Sequence, residues 1–422
     1  MSWINSGGNE WQRSRTHFAS RTDDSSCGEC KRGGHTGRMR IRSITGVIAA
    51  LALFSGCSSA APAARSDTPS LQVQTVVSGL DHPWDLDFLP DGAMLVTERL
   101  GRLQLVRAAT MTQVQADLSD VYARGESGLM GLLVHRDFAT SREFSTCQSH
   151  MENGKPVDIR VKTWRLSPDG SSAVAARDPL LAGLPLNSSG RHSGCRLALG
   201  PAGELLITTG DTANPTVPQD LSSLGGKTLH ADLASGKPLS NPPFPEHPYV
   251  WTYGHRNLQG IQVRPGTTQV FTAEHGPDVD DEVNLEVAGG NYGWDPSKGG
   301  TQTKTYDESV PMTDTTRCPD AVRAVWSSGD PTEAISGAGF LAGSPWGSLD
   351  GAFVVAALKG KKLLAMTMDP AGAVTGVVEP PELRDTHGRL RSVHQGPDGA
   401  LYLTTDNGSN SDEVLKVTPA HP

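Results

Sequence analysis

Four stretches of this chain carry one pattern. They are Leu86-Asp-Phe-Leu-Pro-Asp-Gly-Ala-Met-Leu-Val-Thr-Glu98, Leu197-Ala-Leu-Gly-Pro-Ala-Gly-Glu-Leu-Leu-Ile-Thr-Thr209, Ile261-Gln-Val-Arg-Pro-Gly-Thr-Thr-Gln-Val-Phe-Thr-Ala273 and Val393-His-Gln-Gly-Pro-Asp-Gly-Ala-Leu-Tyr-Leu-Thr-Thr405. Each reads as a short strand, a Pro/Gly turn and an apolar, β-rich strand. In such turns Pro presets φ and Gly supplies the positive φ that closes a hairpin. The turns fall at 90–92, 201–203, 265–266 and 397–399. That spacing fits a unit of about 55–65 residues with some units diverged, and so about six units in the chain. Four-stranded units that cannot bury their faces alone stack into a propeller. No long stretch keeps apolar residues at the helical spacing. The expectation is an all-β fold, a six-bladed β-propeller with four-stranded antiparallel blades, over residues 73–422. A pair of β-sandwiches is the alternative, and the long spacing of similar hairpins argues against it. In a propeller, function is expected on the loops at the mouth of the central channel.

Composition agrees. Of 422 residues, 36% are hydrophobic, enough for a sizeable core, and Gly 47 with Pro 29 fits many turns. The formal charge of −9 excludes an electrostatic case for nucleic-acid binding. The N-terminus reads as an export signal. Residues 1–38 are polar and are expected to be disordered or an upstream extension, with Met39 as the initiator. Met39-Arg-Ile-Arg42 is a positive n-region, and Ile44 to Phe54 is apolar but too short to span a bilayer. Leu53-Phe-Ser-Gly-Cys57 resembles a bacterial lipobox, so residues 39–57 are expected to be a lipoprotein-type signal with Cys57 lipidated. Residues 58–72 would be a flexible tether. The alternative is a secretory peptide cut near Ala60. Either way the domain is expected outside the cytoplasm, touching membrane only through a lipid. Loss of residues 1–56 leaves 29 basic and 42 acidic side chains, a charge of −13. A disulfide is plausible there. Cys147–Cys195 is favoured, with Cys318 free, although sequence does not fix pairing. Cys27-Gly-Glu-Cys30 is a lone CxxC and a weak metal signal.

The polar residues cluster. Tyr253-Gly-His-Arg-Asn257, Glu274-His-Gly-Pro-Asp-Val-Asp-Asp-Glu-Val-Asn284 and Gly289-Gly-Asn-Tyr-Gly-Trp294 place carboxylates on Gly/Pro loops, which suits a hard cation such as calcium; a solvated acidic loop is the plain alternative. Gly190-Arg-His-Ser-Gly-Cys-Arg-Leu197 puts a histidine at a loop-to-strand junction, where it can serve as a base or simply be a hydrogen-bonded structural residue. Arg389 and Arg391 alternate on a strand and so face one way. With Lys359 they form a carboxylate-binding group if they face the channel, and a basic edge if they face solvent.

Taken in order, Gly79-Leu-Asp-His-Pro-Trp84, Phe88-Leu-Pro-Asp-Gly92, Val96-Thr-Glu-Arg99, Gly128-Leu-Met-Gly131, His192-Ser-Gly194, Gly254-His-Arg-Asn257, Glu274-His-Gly-Pro277, Asp281-Glu-Val-Asn284 and Asn291-Tyr-Gly-Trp294 resemble the soluble quinoprotein glucose/sorbosone dehydrogenase family, including periplasmic aldose sugar dehydrogenases. The resemblance runs from about residue 73 to 418 and implies a six-bladed propeller. It also implies oxidation of an aldose at C1 with hydride transfer to pyrroloquinoline quinone (PQQ), calcium, a small-molecule sugar and a further electron acceptor that the sequence does not name. It casts His192 as the base, Arg256 as the group polarising the quinone carbonyl and Glu126 as a residue near the base. Asn257, Lys359, Arg389 and Arg391 become cofactor contacts. Gly276 and Pro277 become carbonyl ligands of the cofactor's calcium, and Glu282 with the main chain near Tyr292 a second calcium site.

Three departures stand out. Arg191 precedes the base where soluble glucose dehydrogenases carry Asp. Glu274-His275 replaces a Gln-bearing version of that loop. Cys147 to Asp158 reads as a shortened, unusually polar blade strand. These leave room for two other readings: a catalytically altered propeller that binds a carbohydrate or protein, and a calcium-dependent lactonase-type hydrolase.

Overall fold

The computed structural model of the protein describes residues 68–297 and 305–420. The expected leader, Cys57 and most of the tether lie outside the described residues. The strands are β1 (Leu71–Leu80), β2 (Pro83–Phe88), β3 (Met94–Glu98), β4 (Arg102–Arg107), β5 (Thr110–Val114), β6 (Leu129–Val134), β7 (Glu143–Glu152), β8 (Lys155–Leu166), β9 (Ala173–Leu184), β10 (Leu197–Leu199), β11 (Leu205–Thr208) and β12 (Lys227–Ala231). They continue with β13 (Val250–Tyr253), β14 (Leu258–Val263), β15 (Val270–Glu274), β16 (Glu282–Leu285), β17 (Trp326–Ser327), β18 (Ile335–Phe340), β19 (Phe353–Ala357), β20 (Lys362–Met368), β21 (Val374–Val378), β22 (Leu390–Gln395), β23 (Leu401–Thr405) and β24 (Asp412–Pro419). They form six antiparallel four-stranded sheets. Five are consecutive: β2 to β5, β6 to β9, β10 to β13, β14 to β17 and β18 to β21. The sixth has the order β1-β24-β23-β22, so the first strand completes the last blade. Leu71 pairs with Pro419 and Val73 with Val417 along that seam. The seam begins two residues inside the expected tether, because Leu71 is buried and its N–H donates to Glu382 Oε1 at 2.9 Å.

The four repeats are the inner hairpins of the first, third, fourth and sixth blades. Their turns close as expected. Gly92 and Gly399 take φ of 82° and 78°, and Gly92 N–H donates to Leu89 O. Both faces of a blade are covered by its neighbours, so β3, β11, β15, β19 and β23 are buried along their whole length and read as continuous apolar runs. The core is accordingly divided between blades. Leu95, Leu103 and Leu105 pack on Phe144, Trp164 and Leu166, for instance, and Phe271 and Val283 on Phe340 and Phe353.

The innermost strands β2, β6, β10, β14, β18 and β22 neighbour one another in a ring. Asp85, fully buried on β2, ties that ring together. It accepts from Leu132 N at 3.0 Å, Ser392 Oγ at 2.9 Å and His394 Nε2 at 2.9 Å, and it lies 2.5 Å from Arg196 Nη1. Arg196 in turn donates from Nε to Gln259 O and lies over the Trp84 ring at 4.2 Å. One carboxylate thus links the first, second, third and sixth blades.

The segment from Cys147 to Asp158 is not shortened. It belongs to the long hairpin β7–β8, whose register runs from Glu143↔Arg165 to Glu152↔Lys155. Its polar side chains next to Cys147 are buried and paired: Gln148 and His150 bond Asp120, and Ser149 bonds Tyr122 O. Cys147 forms a disulfide with Cys195, and Cys318 is free. The bridge joins β7 to the loop before β10. A Cys147→Ser/Cys195→Ser variant is expected to lose about 2–4 kcal/mol in urea unfolding; an unchanged midpoint would show the bridge to be dispensable.

Candidate active site at the channel mouth

In an antiparallel blade, the start of the inner strand and the end of the second strand share one edge. Glu126, His192, Arg256, Asn257 and Arg389 precede inner strands, and Arg391 opens one. Asp211, His275, Gly276, Pro277 and Lys359 follow second strands. The topology therefore brings all of them to the same end of the channel, although they come from distant parts of the chain.

His192 is buried in the loop before β10. Its Nδ1 lies 2.7 Å from Asp211 Oδ1. Asp211 Oδ2 accepts from Trp294 Nε1 at 2.8 Å and Tyr306 Oη at 2.7 Å. Burial alone would raise the Asp211 carboxyl, but the His192 charge and these donors outweigh it and hold the group below its ordinary value. An ionised Asp211 accepts the Nδ1 proton, which leaves the Nε2 lone pair as the acceptor, with Arg191 Nη2 at 3.5 Å from it. A Cβ on Gly210 would stand 2.1 Å from the His192 carbonyl oxygen, so glycine is required where the Asp211 turn meets the base. Glu126 supports the same loop. It accepts from His192 N at 3.2 Å, Asn257 Nδ2 at 2.8 Å and Gln259 Nε2 at 3.0 Å. Burial opposes its charge, yet His192 and these bonds keep its carboxyl lowered.

Arg256 is buried beside this group. Nη1 donates to His275 O at 2.8 Å and Nη2 to Glu308 Oε1 at 2.5 Å, while Nε is buried without a partner among the described residues. Lys359, Arg389 and Arg391 line one cavity of 370 Å³ together with Glu126, Gln259, His275 and Pro277. Lys359 is exposed at its rim, and Arg389 is half-buried. Arg391 is buried and already engaged: Nε and Nη2 reach Asp406 Oδ2 at 3.0 and 2.5 Å, and Nη1 reaches Gln259 Oε1 at 3.0 Å. All three line that cavity, which is the placement a carboxylate-binding group needs.

The candidate metal ligands fall in two places. Pro277 lines the cavity, and the Gly276 carbonyl beside it accepts from His275 Nδ1 at 2.6 Å. Glu282 lies deeper, on β16 directly across from Glu274 on β15. Burial pushes both carboxyls up, to about 8, with the Asp211 charge adding to it at Glu274 and the Glu274 charge at Glu282. Asn284 Oδ1, on the same strand, is buried with no donor. Two crowded carboxylates and an orphaned amide oxygen fit a hard cation. Tyr292 is buried, stacks on His255 at 4.5 Å and donates its hydroxyl to Leu285 O.

Sequence reasoning missed Asp211, Tyr306, Glu308, Gln259 and Asp406. A signal existed for Asp211 and Asp406. The repeated hairpins end in Thr97-Glu98, Thr209-Gly-Asp211, Ala273-Glu274 and Thr405-Asp406, so each delivers a carboxylate to the mouth.

The result is a β-propeller with an oriented histidine, a buried guanidinium and a cation-lined cavity at one end of its channel. The family model described as Glucose / Sorbosone dehydrogenase matches residues 80–415. The chain belongs to the glucose/sorbosone dehydrogenase family and is a sugar oxidoreductase by that membership. It is 31% identical over 357 residues to the aldose sugar dehydrogenase YliI of Escherichia coli (strain K12), covering 83% of this chain and 93% of that protein. Among solved structures it is similar to the apo-form of the soluble aldose sugar dehydrogenase of Escherichia coli. That match has 30% identity, a TM-score of 0.72, and covers 83% of this chain and 100% of that one. It is also similar to the PQQ-bound aldose sugar dehydrogenase of Streptomyces coelicolor, at 28% identity and a TM-score of 0.67, covering 85% of this chain and 99% of that one.

Proposed function

We propose that this protein is a quinoprotein that oxidises an aldose at C1 to the lactone, using PQQ with calcium. The observation that carries the reading is the junction at Glu126. This residue holds the His192 loop on one side and lines the cavity of Lys359, Arg389 and Arg391 on the other. PQQ, when bound, supplies the two-electron acceptor for the hydride leaving C1. The chain supplies the rest. His192 Nε2 takes the proton of the C1 hydroxyl, and Asp211 steadies the imidazolium that forms. Arg256 and Asn257 would face the acceptor from the same connection, and Arg256 Nε is a donor without an acceptor among the described residues. Lys359, Arg389 and Arg391 match the carboxylates of a multiply anionic ring. Gly276 and Pro277 would hold the cofactor's calcium, and Glu282 a second ion.

The test is dye reduction with an aldose panel after PQQ and calcium are added. Turnover with at least one aldose supports the reading; none at saturating cofactor contradicts it. Chelation of calcium is expected to lower the thermal midpoint, because the Glu274–Glu282 pair loses its counter-charge. An unchanged midpoint in excess chelator would remove the deeper ion.

We also propose an extracytoplasmic location with Cys57 lipidated. The buried Cys147–Cys195 bridge supports an oxidising compartment. Radiolabelled palmitate should enter the wild-type chain and not Cys57→Ala; no label in wild type would leave only secretion.

A further inference from the structure

The free edge of His192 is not surrounded by neutral groups. Arg191 Nη2 lies 3.5 Å from His192 Nε2, so any hydroxyl that gives its proton to Nε2 lies against that guanidinium. One carboxylate answers this charge. Glu308 accepts from Arg191 Nη2 at 3.0 Å through Oε1 and 3.2 Å through Oε2, and its Oε1 also accepts from Arg256 Nη2 at 2.5 Å. Glu308 therefore spans two cations that come from different blade connections. Burial works against its charge, but Arg256 and Arg191 outweigh this and hold its carboxyl below the ordinary value, so it is ionised at neutral pH. The Tyr306 ring completes this wall, 6.1 Å from the His192 ring and 6.0 Å from the Arg191 guanidinium. Asp211 also acts on Arg256 through charge, but its oxygens are engaged by His192, Trp294 and Tyr306, and it is Glu308 that bonds both guanidinium groups.

We propose that Glu308 sets the charge preference of the sugar site: by neutralising Arg191 and Arg256 beside the base, it selects uncharged aldoses over sugar acids. This rests on the dehydrogenase reading for its ligand class and adds to it the residue that discriminates within that class. The physical ground is local charge balance. With Glu308, two guanidinium groups face one carboxylate that each can reach. Without it, the Arg191 guanidinium is left open toward the bound sugar while Arg256 keeps its bond to His275 O, and a substrate carboxylate becomes the natural partner of Arg191. The side chains of Arg191 and Glu308 are 48% and 37% exposed, so water screens part of the effect. A change of about tenfold is expected, rather than the larger effect of a dry pair.

The experiment compares glucose and glucuronate in wild type, Glu308→Gln, Arg191→Gln and the double variant. Affinity is read by calorimetry, and kcat/KM by dye reduction in the presence of PQQ and calcium. In Glu308→Gln the glucuronate-to-glucose ratio should rise about tenfold in both measures, and adding Arg191→Gln should bring it back toward wild type. Arg191→Gln alone should move the ratio the other way. A ratio that stays flat or falls in Glu308→Gln overturns the inference, and so does failure of every variant to bind either sugar. If no protein in the set turns over any aldose, the dehydrogenase reading fails, and the calorimetric ratio alone decides the role of Glu308.

Discussion

His192→Gln should lower turnover by about 10²–10⁴-fold, the range for loss of a general base. The PQQ dissociation constant should stay within about threefold, because His192 bonds Asp211 and Glu126 rather than the cavity cations. Asp211→Asn should fall between this variant and wild type. The amide keeps the shape but no longer fixes the Nδ1–H tautomer, nor does it steady a positive ring. Stopped-flow dye reduction with saturating cofactor separates these outcomes. Full activity in His192→Gln would remove the base assignment, and equal losses of turnover and cofactor binding would recast His192 as structural.

Asp85→Ala should be the most destabilising single change, by about 3–5 kcal/mol, because it leaves Arg196 buried without its counter-charge. Arg196 donates from Nε to Gln259 O, and its Nη1 lies 2.5 Å from Asp85 Oδ1, where charge attraction and hydrogen bonding act together. The pair also gives the fold an acid limit. Burial pushes the Asp85 carboxyl up, but Arg196 and His394 more than offset that and leave it well below its unfolded value. Asp406 is held down likewise, by Arg391 and His82 against burial. For a carboxyl lowered by folding, the unfolded state binds more protons. Its stabilisation is complete above the ordinary carboxylate value, near pH 4, and is lost as pH falls below it. Urea titrations at stepped pH should show wild type weakening below about pH 4, with a shallower slope in Asp85→Ala. An Asp85→Ala protein as stable as wild type would mean that the ring of inner strands does not depend on its central ion pair.

Four of six blades were legible because their inner hairpins keep the short Pro/Gly turn. The other two hide it. Between β6 and β7 the turn is replaced by a longer connection with a helical turn at Phe138–Ser141, and between β18 and β19 by a 3₁₀ segment at Ser344–Leu349. The fold was still readable, since the spacing of the four fixed the size of the unit. The site was readable in a different way. Arg389 and Arg391 announce themselves by alternation, and Lys359 by following an apolar strand. Asp211 and Asp406 are marked only by their place just after a repeated hairpin, a signal that shows when the four hairpins are set side by side. Glu308 sits in a stretch with no repeat pattern, and only the close approach of Arg191 and Arg256 gives it meaning. The polarity of Gln148, Ser149 and His150 misled for the opposite reason: their partners, Asp120 and the main chain at Tyr122, are distant in sequence.

The central claim is that cations from separate blades meet at the channel mouth to grip a small, multiply anionic cofactor. Its most direct test is a calorimetric isotherm for PQQ with calcium, run on wild type and on Lys359→Ala/Arg389→Ala. Both side chains are partly exposed and neither carries the fold, so the double variant should stay folded. Wild type should show saturable one-to-one binding and the variant at least tenfold weaker binding, about 1.4 kcal/mol. An identical isotherm for the two proteins, or no uptake by wild type, would contradict it.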